Sequence, residues 1–337
     1  MKLAVADLDL RLHHTFRISR SATDVAANLL VTLEHDGLRG LGEAHPPTFF
    51  GEDRPLARAA LEGLGGELTG DPAAIGAVLD ALPPQVAASH GARAALDIAL
   101  HDLRGKLAGE PLWRTLGLDP ADTPVTSFTI AIAPIPQMQA HVREAERYPL
   151  LKIKLGTDHD IEILDGIRAV TDKPLRVDAN AAWGVEEAIA KIHAIEPYGI
   201  ELVEQPIPPG DLGGLRRIRD AITAPLLVDE SVTTADDIPP LADAVDGINI
   251  KLMKSGGIRE ARRMIDLARS LDLQVMLGCY IESSVAITAA AHLAPLVDYA
   301  DLDGCLLIDN DPFEGVTLDA DGRLVLPTAP GLGVHPR

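Results

Sequence analysis

Charged residues recur at regular intervals along the second half of the chain, each at the end of a short apolar run. They are Lys152, Asp178, Glu204, Asp229 and Lys251, and the intervals between them are 22 to 26 residues. A β-strand, its loops and a following helix need about that length. The spacing therefore predicts repeated βα units that each present one charged side chain at the same end of a parallel sheet.

The three acids in this series predict a metal site. Neighbouring strands of a closed sheet lie about 5 Å apart, so Asp178, Glu204 and Asp229 on successive strands can converge on one cation. Three oxygen ligands without Cys or His suit Mg²⁺, with Mn²⁺ as the substitute. A salt bridge or a helix cap would explain the position of any one of these acids. It explains less well why three acids stand at the same place on successive strands. We expect one Mg²⁺ per chain with these three ligands.

Lysines on opposite sides of the same sheet predict proton-transfer chemistry. The pleat of a strand directs Lys152 and Lys154 to the barrel interior and Ile153 to the helices. Lys251 lies on the sixth strand, which is opposite the second in an eight-stranded barrel. Lys154 and Lys251 could then remove a proton next to a carboxylate and return one from the other face, provided that the pKa of the base is lowered. The cation and Lys152 would stabilise the enediolate.

Two further groups bear on the substrate. Asp301 and Asp303 close the eighth predicted strand, where both side chains would point inward and hold a substrate ammonium. Solvated acids in a strand-end turn are the alternative. In the N-terminal part, Arg17 and Arg20 lie in a polar stretch from which one arginine could reach a substrate carboxylate as a mobile lid. Solvated surface arginines would have the same appearance in sequence.

The elements that must position these residues are eight strand-like runs that alternate with stretches of helical length. The predicted strands are Val125–Ile132, Leu150–Leu155, Leu175–Ala179, Ile200–Glu204, Pro225–Asp229, Gly247–Leu252, Gln274–Leu277 and Tyr299–Asp303. Eight such α/β units in a row favour a (β/α)8-type barrel, a modified TIM barrel with its working residues at the C-terminal strand ends. A doubly wound open sheet is the alternative, but no G-x-G-x-x-G or G-x-x-x-x-G-K-[ST] phosphate loop supports it.

An N-terminal α+β capping domain is predicted in front of the barrel. The run Asn28–Leu33 and the turn at 34–37 indicate an antiparallel hairpin, and Ala and Leu recur at helical spacing from Ser89 to Leu107. The segment after residue 310 is rich in Pro and Gly and is expected to return over the first domain. The predicted division is a capping domain of residues 1–120, joined by the segment 311–337, and a barrel of residues 121–310.

Composition restricts the partners and the compartment. Fifty Asp and Glu against thirty Lys and Arg give a formal charge of -20, which would repel nucleic acid and anionic lipid. The two cysteines, Cys279 and Cys305, have no metal-type spacing and suit a reducing cytoplasm. We see neither a leader pattern nor an apolar run of about 18 residues, so a soluble cytoplasmic protein is expected.

Five short motifs stand at the predicted strand ends. They are Lys152-Ile153-Lys154, Asp178-Ala179-Asn180, Glu204-Gln205-Pro206, Asp229-Glu230-Ser231 and Asn249-Ile250-Lys251-Leu252-Met253-Lys254. Together they resemble the enolase superfamily, in its muconate-lactonizing subgroup, whose members use a lysine or histidine base with Mg²⁺. The resemblance covers nearly the whole chain and implies a barrel with a capping domain.

Within that subgroup the sequence is most similar to the dipeptide epimerases, of which the alanyl-glutamate type is best known. The resemblance implies inversion of the α-carbon of the C-terminal residue, with both lysines taking turns as base. It implies that Asp301 and Asp303 hold the dipeptide ammonium and that Arg20 receives the side chain of the C-terminal residue.

Other motif residues acquire expected roles from the same resemblance. Asn180 and Glu230 would support the neighbouring metal ligands, and Glu282 would contact the substrate. Tyr280 stands where a smaller or unbranched residue is expected, which would change the pocket. Barrels of this family commonly assemble into homo-oligomers through their outer surfaces.

Several other functions are alternatives. Muconate cycloisomerase and o-succinylbenzoate synthase share the metal site and lysines, but their substrates carry no ammonium for Asp301 and Asp303. Acid-sugar dehydratases use a histidine base from the seventh strand, and no histidine lies between Gln274 and Ser284. A barrel that only binds ligand would be credible if a lysine or metal carboxylate were missing. The sequence leaves open which dipeptide is used, the oligomeric state, which lysine serves which stereoisomer, and whether Arg17 or Arg20 contacts substrate.

Overall fold

The N-terminal part combines a three-stranded antiparallel sheet with a set of helices. The computed structural model describes residues 1–337, and its first strands are β1 Lys2–Ile18, β2 Ser21–His35 and β3 Leu38–Ala44. The helices that follow are α1 Arg54–Glu62, α2 Ile75–Asp80, α3 Pro84–Ala87, α4 His90–Ala108 and α5 Leu112–Thr115. The predicted strand lies inside β2, and the predicted helical stretch lies inside α4 except for Ser89, which is the N-cap of that helix.

Strands β1 and β2 form a long hairpin that ends in a turn at Ser19 and Arg20. The pairing shifts between Arg11↔Val25 and Phe16↔Thr23, so β1 carries three more residues than β2 over this stretch. The end of the hairpin rests on the barrel, where Ile132 N donates a hydrogen bond to Arg17 O at 2.9 Å. The predicted mobile lid is therefore the end of a paired hairpin.

Helix α4 packs directly against β3 because two glycines let the backbones approach. A Cβ on Gly40 or Gly42 would collide with the carbonyl oxygens of Ala99 and Ala95 on the helix. The helix begins at the N-cap Ser89, whose side chain accepts a hydrogen bond from Ala92 N. This close contact joins the antiparallel sheet to the helix that also reaches the barrel.

Eight parallel strands form the second part, in the order in which they occur along the chain. They are β4 Phe128–Ile130, β5 Leu151–Lys154, β6 Leu175–Asp178, β7 Ile200–Glu204, β8 Leu226–Val228, β9 Gly247–Ile250, β10 Gln274–Gly278 and β11 Tyr299–Asp301. A parallel bridge between Thr126 and Ala300 links the first strand to the last. The sequential order and this link confirm the predicted barrel and exclude the open doubly wound sheet.

Some predicted strands are longer than the observed ones, because side chains take over the backbone hydrogen bonds at their ends. Gln205 Oε1 accepts from Asp229 N at 2.9 Å, so β8 ends before Asp229. Thr126 Oγ1 accepts from Leu302 N at 2.8 Å, so β11 ends at Asp301. The prediction that Asp303 belongs to the strand is wrong, since Asp303 lies in the following turn.

Helices connect the barrel strands and cover their outer face. They are α6 Ile135–Glu144, α7 Asp160–Arg168, α8 Val185–Ile195, α9 Leu212–Ala221, α10 Ile238–Leu241, α11 Leu252–Ser255, α12 Ile258–Ser270 and α13 Ser284–Ala291. The last strand is followed by a 3-10 helix, Gly304–Leu306, in place of an α-helix. The barrel is thus a modified one, with seven strand–helix units and a final strand.

The C-terminal segment forms two short antiparallel pairs. Strands β12 Phe313–Glu314, β13 Thr317–Leu318, β14 Leu324–Val325 and β15 His335–Pro336 pair as β12 with β15 and β13 with β14. This segment touches α4 through a 2.8 Å hydrogen bond from Leu332 N to Asp102 Oδ1, while Phe313 and Leu324 join the barrel core.

Two separate apolar cores lie in the two parts of the molecule. The barrel core contains 62 buried side chains and the N-terminal core contains 20, which is consistent with two domains. The division at residue 120 stays a prediction, because the C-terminal segment contacts both parts. None of the helices is long and apolar enough to cross a lipid bilayer.

Candidate active site

The predicted charged residues meet at the C-terminal ends of the barrel strands. Asp178 and Glu204 are the last residues of β6 and β7, and Asp229 and Lys251 follow β8 and β9 directly. Parallel strands place all such ends on one rim of the barrel. Residues distant in sequence therefore surround a single volume.

Three buried carboxylates form the floor of this volume. Asp178 Oδ2 lies 2.6 Å from Lys154 Nζ, and Asp229 Oδ2 lies 2.8 Å from Lys251 Nζ. Burial raises the pKa of both aspartates, but the adjacent ammonium groups outweigh it and hold each pKa below its ordinary value. Both side chains therefore stay ionised in the interior.

Glu204, the third acid, shows that this group of side chains suits a cation. Burial and the charge of Asp178 raise its pKa to about 7. Its Oε2 is buried and, although Lys152 Nζ lies 2.6 Å away, receives no well-directed hydrogen bond. A divalent cation would relieve the repulsion and use this oxygen, and a set of carboxylate oxygens without Cys or His is the ligand set that Mg²⁺ and Mn²⁺ prefer.

Lys254 is a fourth lysine of the site, and no role was predicted for it from the sequence. Its side chain is 0% exposed, and its Nζ donates to Asp229 Oδ1 at 2.5 Å and to Asn249 O at 2.7 Å. Burial lowers its pKa. Lys254 thus anchors Asp229 from the side away from Lys251. The sequence feature that could have identified Lys254 is its place in the motif that begins at Asn249.

Lys154 and Lys251 line opposite walls of the central cavity, as the strand order requires. Lys154 Nζ lies 6.0 Å from the centre of the Phe16 ring, and Lys251 Nζ lies 4.5 Å from that of Tyr280. Burial lowers the pKa of Lys251, but Asp229 outweighs this effect and raises it well above the ordinary value. The lowered pKa expected for a base lysine is therefore not produced at Lys251 by the protein groups around it.

Lys152 is more deeply buried than Lys154 and Lys251. Its Nζ contacts Glu204 Oε2 and Asp301 Oδ2, both at 2.6 Å, and Asp178 Oδ2 at 3.4 Å. Burial lowers the pKa of Lys152, while these three carboxylates raise it well above its ordinary value. Lys152 therefore carries a positive charge that joins the acid floor to Asp301 at the end of the last strand.

Asp301 and Asp303 lie together in the cavity wall, although only Asp301 belongs to β11. Ser127 Oγ donates to Asp301 Oδ1, and Thr129 N donates to Asp303 Oδ2, both at 2.6 Å. Burial raises the pKa of Asp301, but Lys152 outweighs it and lowers the value to about 2, whereas burial and Asp301 raise the pKa of Asp303 to about 6.

Sequence reasoning missed Ser127 and Thr129, since an isolated hydroxyl or backbone N–H leaves no pattern. A ligand ammonium would complete this acidic pair.

Arg20 reaches the cavity from the hairpin turn, whereas Arg17 is exposed and does not line it. The Arg20 guanidinium donates to Glu230 Oε1 at 2.6 Å and to Asn180 O at 2.7 Å, and it lies 4.6 Å from the centre of the Phe49 ring. Its side chain remains 35% exposed. The arginine is therefore placed beside the site and tied to a loop next to the acid floor.

The loops after β6 and β7 adopt an unusual backbone conformation. Asn180, Ala181 and Gln205 have φ values of 48°, 63° and 35°, which are rare for residues other than glycine. Asn180 N donates to Asp178 Oδ1 at 2.8 Å, and Gln205 Oε1 accepts from Asp229 N. The strained turns thus fix two of the three acids. Gln205 lies in one of the five motifs, but its hydrogen bond from Asp229 N was not predicted.

The turn after β10 joins the capping part to the barrel. The Tyr280 ring stacks on His45 at 4.7 Å, and His45 Nδ1 lies 2.8 Å from Asn28 Oδ1. Burial and Lys251 lower the pKa of His45 to about 4, so this imidazole is neutral. This support of Tyr280 was not apparent from sequence, because it joins residues more than 230 positions apart.

Glu282 does not face the cavity that was predicted to contain its substrate contact. Its carboxylate is buried and accepts a hydrogen bond from Tyr280 N at 3.0 Å, and burial and Glu43 raise its pKa to about 8. The short turn directs Tyr280 into the cavity and Glu282 behind it. The geometry therefore assigns Glu282 to holding the turn.

The cavity itself is small and mixed in character, with a volume of about 160 Å³. Its charged wall residues are Arg20, Lys154, Lys251, Asp301 and Asp303. Apolar groups of the hairpin, including Phe16 and Ile18, cover it. Such a cavity can hold a small zwitterion between an acidic pair and two facing ammonium groups.

The sequence matches known protein families over most of its length. Residues 1–117 match the mandelate racemase / muconate lactonizing enzyme N-terminal domain, and residues 137–337 match the enolase C-terminal domain-like family. The chain is 40% identical to an L-Ala-D/L-Glu epimerase of Bacteroides thetaiotaomicron, over 99% of this chain and 88% of that protein.

Two solved structures are similar over their whole length. A substrate-liganded complex of the L-Ala-D/L-Glu epimerase from Bacillus subtilis superposes with a TM-score of 0.93 at 31% identity, covering 99% of this chain and 98% of that one. A dipeptide epimerase from Methylococcus capsulatus, complexed with Mg and the dipeptide L-Arg-D-Lys, gives a TM-score of 0.92 at 35% identity and 99% coverage of both chains.

Proposed function

Because the chain belongs to the enolase superfamily, with its mandelate racemase / muconate lactonizing enzyme and enolase C-terminal domains, we propose that it is a Mg²⁺-dependent dipeptide epimerase. The enzyme is an isomerase that inverts the α-carbon of the C-terminal residue of a dipeptide. The observation that carries this proposal is the pair of facing lysines above a floor of three acids, with an acidic pair at one end.

Asp178, Glu204 and Asp229 are proposed to hold the Mg²⁺, with Mn²⁺ as the substitute. The buried, poorly satisfied Glu204 supports this assignment. Bound Mg²⁺ would stabilise the negative charge that develops on the substrate carboxylate when the α-proton leaves. Asn180 and Glu230 are proposed to orient the metal-binding carboxylates. The contact of Asn180 with Asp178 and that of Glu230 with Arg20 support this role.

Lys154 and Lys251 are proposed to exchange the proton from opposite faces of the α-carbon. One lysine takes the proton as base while the other, as an ammonium, delivers a proton to the second face, and the reverse reaction exchanges the roles. Lys152 adds a fixed positive charge beside the substrate carboxylate. The opposed positions of the two amines in the cavity wall support this two-base scheme.

The two ends of the dipeptide would bind to different walls. Asp301 and Asp303 are proposed to accept hydrogen bonds from the substrate ammonium, which would draw the Asp303 carboxyl into its ionised form. Arg20 is proposed to contact the side chain of the C-terminal residue from the hairpin turn. An acidic side chain, as in alanyl-glutamate, would have to compete with Glu230 for this arginine.

The first test is hydrogen exchange at the α-carbon. The protein is incubated with Mg²⁺ and pools of L,L-dipeptides in D₂O, and mass spectrometry follows uptake of deuterium. We expect uptake at the C-terminal residue of a subset of dipeptides, with loss of uptake in EDTA and recovery when Mg²⁺ is restored. Glu204→Gln should require more Mg²⁺ for the same rate, while Glu67→Gln, at an exposed acid, should behave as the wild type.

An absence of deuterium uptake in every pool, with Mg²⁺ bound, would refute the epimerase. The muconate cycloisomerase and o-succinylbenzoate synthase reactions would then be tested with their own substrates. We further propose that the enzyme forms homo-oligomers in the cytoplasm, as the family resemblance and the free cysteines suggest. Light scattering of the purified protein gives the oligomeric state.

A further inference from the structure

Three potential metal ligands converge outside the barrel mouth, where β1 passes over α6. They are His14 from the hairpin and His141 and Glu144 from the last turn of the helix. One ligand atom of each lies within 4.8 Å of those of the other two. None of the three belongs to the acid floor or to the cavity that holds the facing lysines.

The fold brings these side chains together for identifiable reasons. His14 lies in the stretch between Arg11 and Phe16 where β1 carries three more residues than its partner strand. This bulge takes the strand out of regular pairing beside the helix. His141 and Glu144 are three residues apart on α6 and so share one face of it. The cluster thus links the N-terminal hairpin to the barrel.

Contacts within the group leave nitrogen atoms available for a ligand. The His14 and His141 rings stack at 4.0 Å with an angle of 22°, and His14 Nε2 lies 2.9 Å from Glu144 Oε2. The ring of His141 has no hydrogen-bond partner in the protein. Burial and the neighbouring His14 lower the pKa of His141, which favours the neutral imidazole that metal ligation needs.

The donor set differs from that of the barrel floor. Two imidazoles and one carboxylate are the ligands of open zinc sites, in which the remaining position is left to water or a small ligand. All three residues line a cavity of about 610 Å³, which gives room for such a ligand. Phe16, Thr129 and Leu307 line both this cavity and the substrate cavity.

We propose that His14, His141 and Glu144 bind a divalent transition-metal ion of the zinc class, at a site separate from the Mg²⁺ site. The ion ties β1 to α6. Because β1 continues through Phe16 and Ile18 to the turn at Arg20, the ion also holds the hairpin that covers the substrate cavity. This inference does not depend on the proposed epimerase activity.

Zinc binding by the full-length protein tests the proposal. With Mg²⁺ in excess, titration calorimetry should show one Zn²⁺ per chain for the wild type. His14→Ala and His141→Ala should weaken that binding at least about tenfold, since each removes one of three ligands. His13→Ala is the matched control, because His13 is the exposed neighbour of His14 in the same bulge but lies outside the cluster. It should bind Zn²⁺ like the wild type.

Cu²⁺ distinguishes this site from the acid floor. Electron paramagnetic resonance should show coupling to imidazole nitrogen in the wild type and in His13→Ala, and loss of part of it in His141→Ala, because the proposed Mg²⁺ ligands contain no nitrogen. Zn²⁺ near saturation should also raise the unfolding midpoint of the wild type by about 3 °C. Absence of Zn²⁺ uptake, or equal affinity in wild type, His14→Ala and His141→Ala, would show that the group is only a stacked histidine pair with a His14–Glu144 contact.

Discussion

The two walls of the central cavity each present a lysine amine, but in different surroundings. Lys154 and Lys251 are each 8% exposed, and each touches one acid of the floor, at 2.6 and 2.8 Å. Lys154 projects from a regular strand towards Phe16 at 6.0 Å. Lys251 follows a strand end and lies 4.5 Å from the Tyr280 ring. The two-base reaction that we propose would therefore use two equally buried amines in different surroundings.

The anchoring of the two walls differs as well. Asp229, the partner of Lys251, is also gripped by the fully buried Lys254. Asp178, the partner of Lys154, has the more distant Lys152 at 3.4 Å as its second cation. The Lys251 wall is therefore fixed by side chains of its own loop and of the capping part, while the Lys154 wall is fixed by the strand itself. The following changes test whether this difference matters.

The largest effect is expected from removing either amine. Lys154→Ala and Lys251→Ala should each lower epimerisation about 10³-fold, because each step loses its acid or base. Each variant should still exchange the α-proton of one stereoisomer with D₂O, and the retained isomer should differ between the two. Chiral chromatography with mass spectrometry measures both. Lys2→Ala, at an exposed lysine of β1, is the control; exchange of the same isomer in both variants would contradict the opposed arrangement.

A loss of stability is expected when the extra anchor of the Lys251 wall is removed. Lys254→Met takes away one of two cations paired with the buried Asp229, and such a change costs about 3 kcal/mol. Denaturant unfolding of Lys254→Met, with Lys2→Met as the control, measures the loss. Unchanged stability would mean that Lys251 alone suffices to hold Asp229.

Acid pH should weaken the reaction through the acidic pair, which is proposed to bind the ammonium end of the dipeptide and which belongs to neither lysine wall. The pKa of Asp303 is raised to about 6, so its carboxylate charge is present above that pH and is lost as pH falls through it. We expect kcat/KM to fall about tenfold with the loss of this charged hydrogen-bond acceptor. Asp303→Asn should remove the inflection near pH 6. A kcat/KM that stays constant through pH 6, or an inflection near pH 6 that persists in Asp303→Asn, would contradict this role of Asp303.

A smaller effect should separate the two aromatic neighbours. A ring at 4.5 Å stabilises an ammonium more than a ring at 6.0 Å, so Tyr280→Leu should lower kcat about tenfold and Phe16→Leu about threefold. Tyr280→Phe keeps the ring and should stay close to the wild type. Steady-state kinetics in both directions provide the test. Equal effects of the two leucine variants would remove the proposed asymmetry of the walls.

The barrel and most charged groups of the site were predictable because they follow a repeating pattern. Asp178, Glu204 and Lys251 recur once per βα unit, and the strand order then fixes which groups are neighbours and which are opposed. Strand ends were less predictable. Strands β8 and β11 end where the side chains of Gln205 and Thr126 accept the backbone hydrogen bonds that a neighbouring strand would otherwise accept.

The supporting contacts were not predictable for a related reason. Thr129 offers Asp303 a backbone N–H, which any residue carries, and His45 meets Tyr280 across the join between the two parts of the molecule. Lys254 could have been recognised from its place after β9, but the pattern did not show that it turns inward. Glu282 was expected to contact the substrate because of the family resemblance, and only the geometry of the turn showed where its carboxylate points.

The position of the hairpin in the chain has a consequence for protein synthesis. Strand β1 leaves the ribosome well before its partners, because His13 N pairs with Leu307 O and the Arg11 side chain pairs with Asp309, almost 300 residues later. At ordinary rates of translation that delay is roughly 15 to 60 s. The β1–β2 hairpin cannot form these contacts until residues 307–309 have been synthesised. A nascent chain therefore gains a closed substrate cavity only when the last barrel strand has emerged.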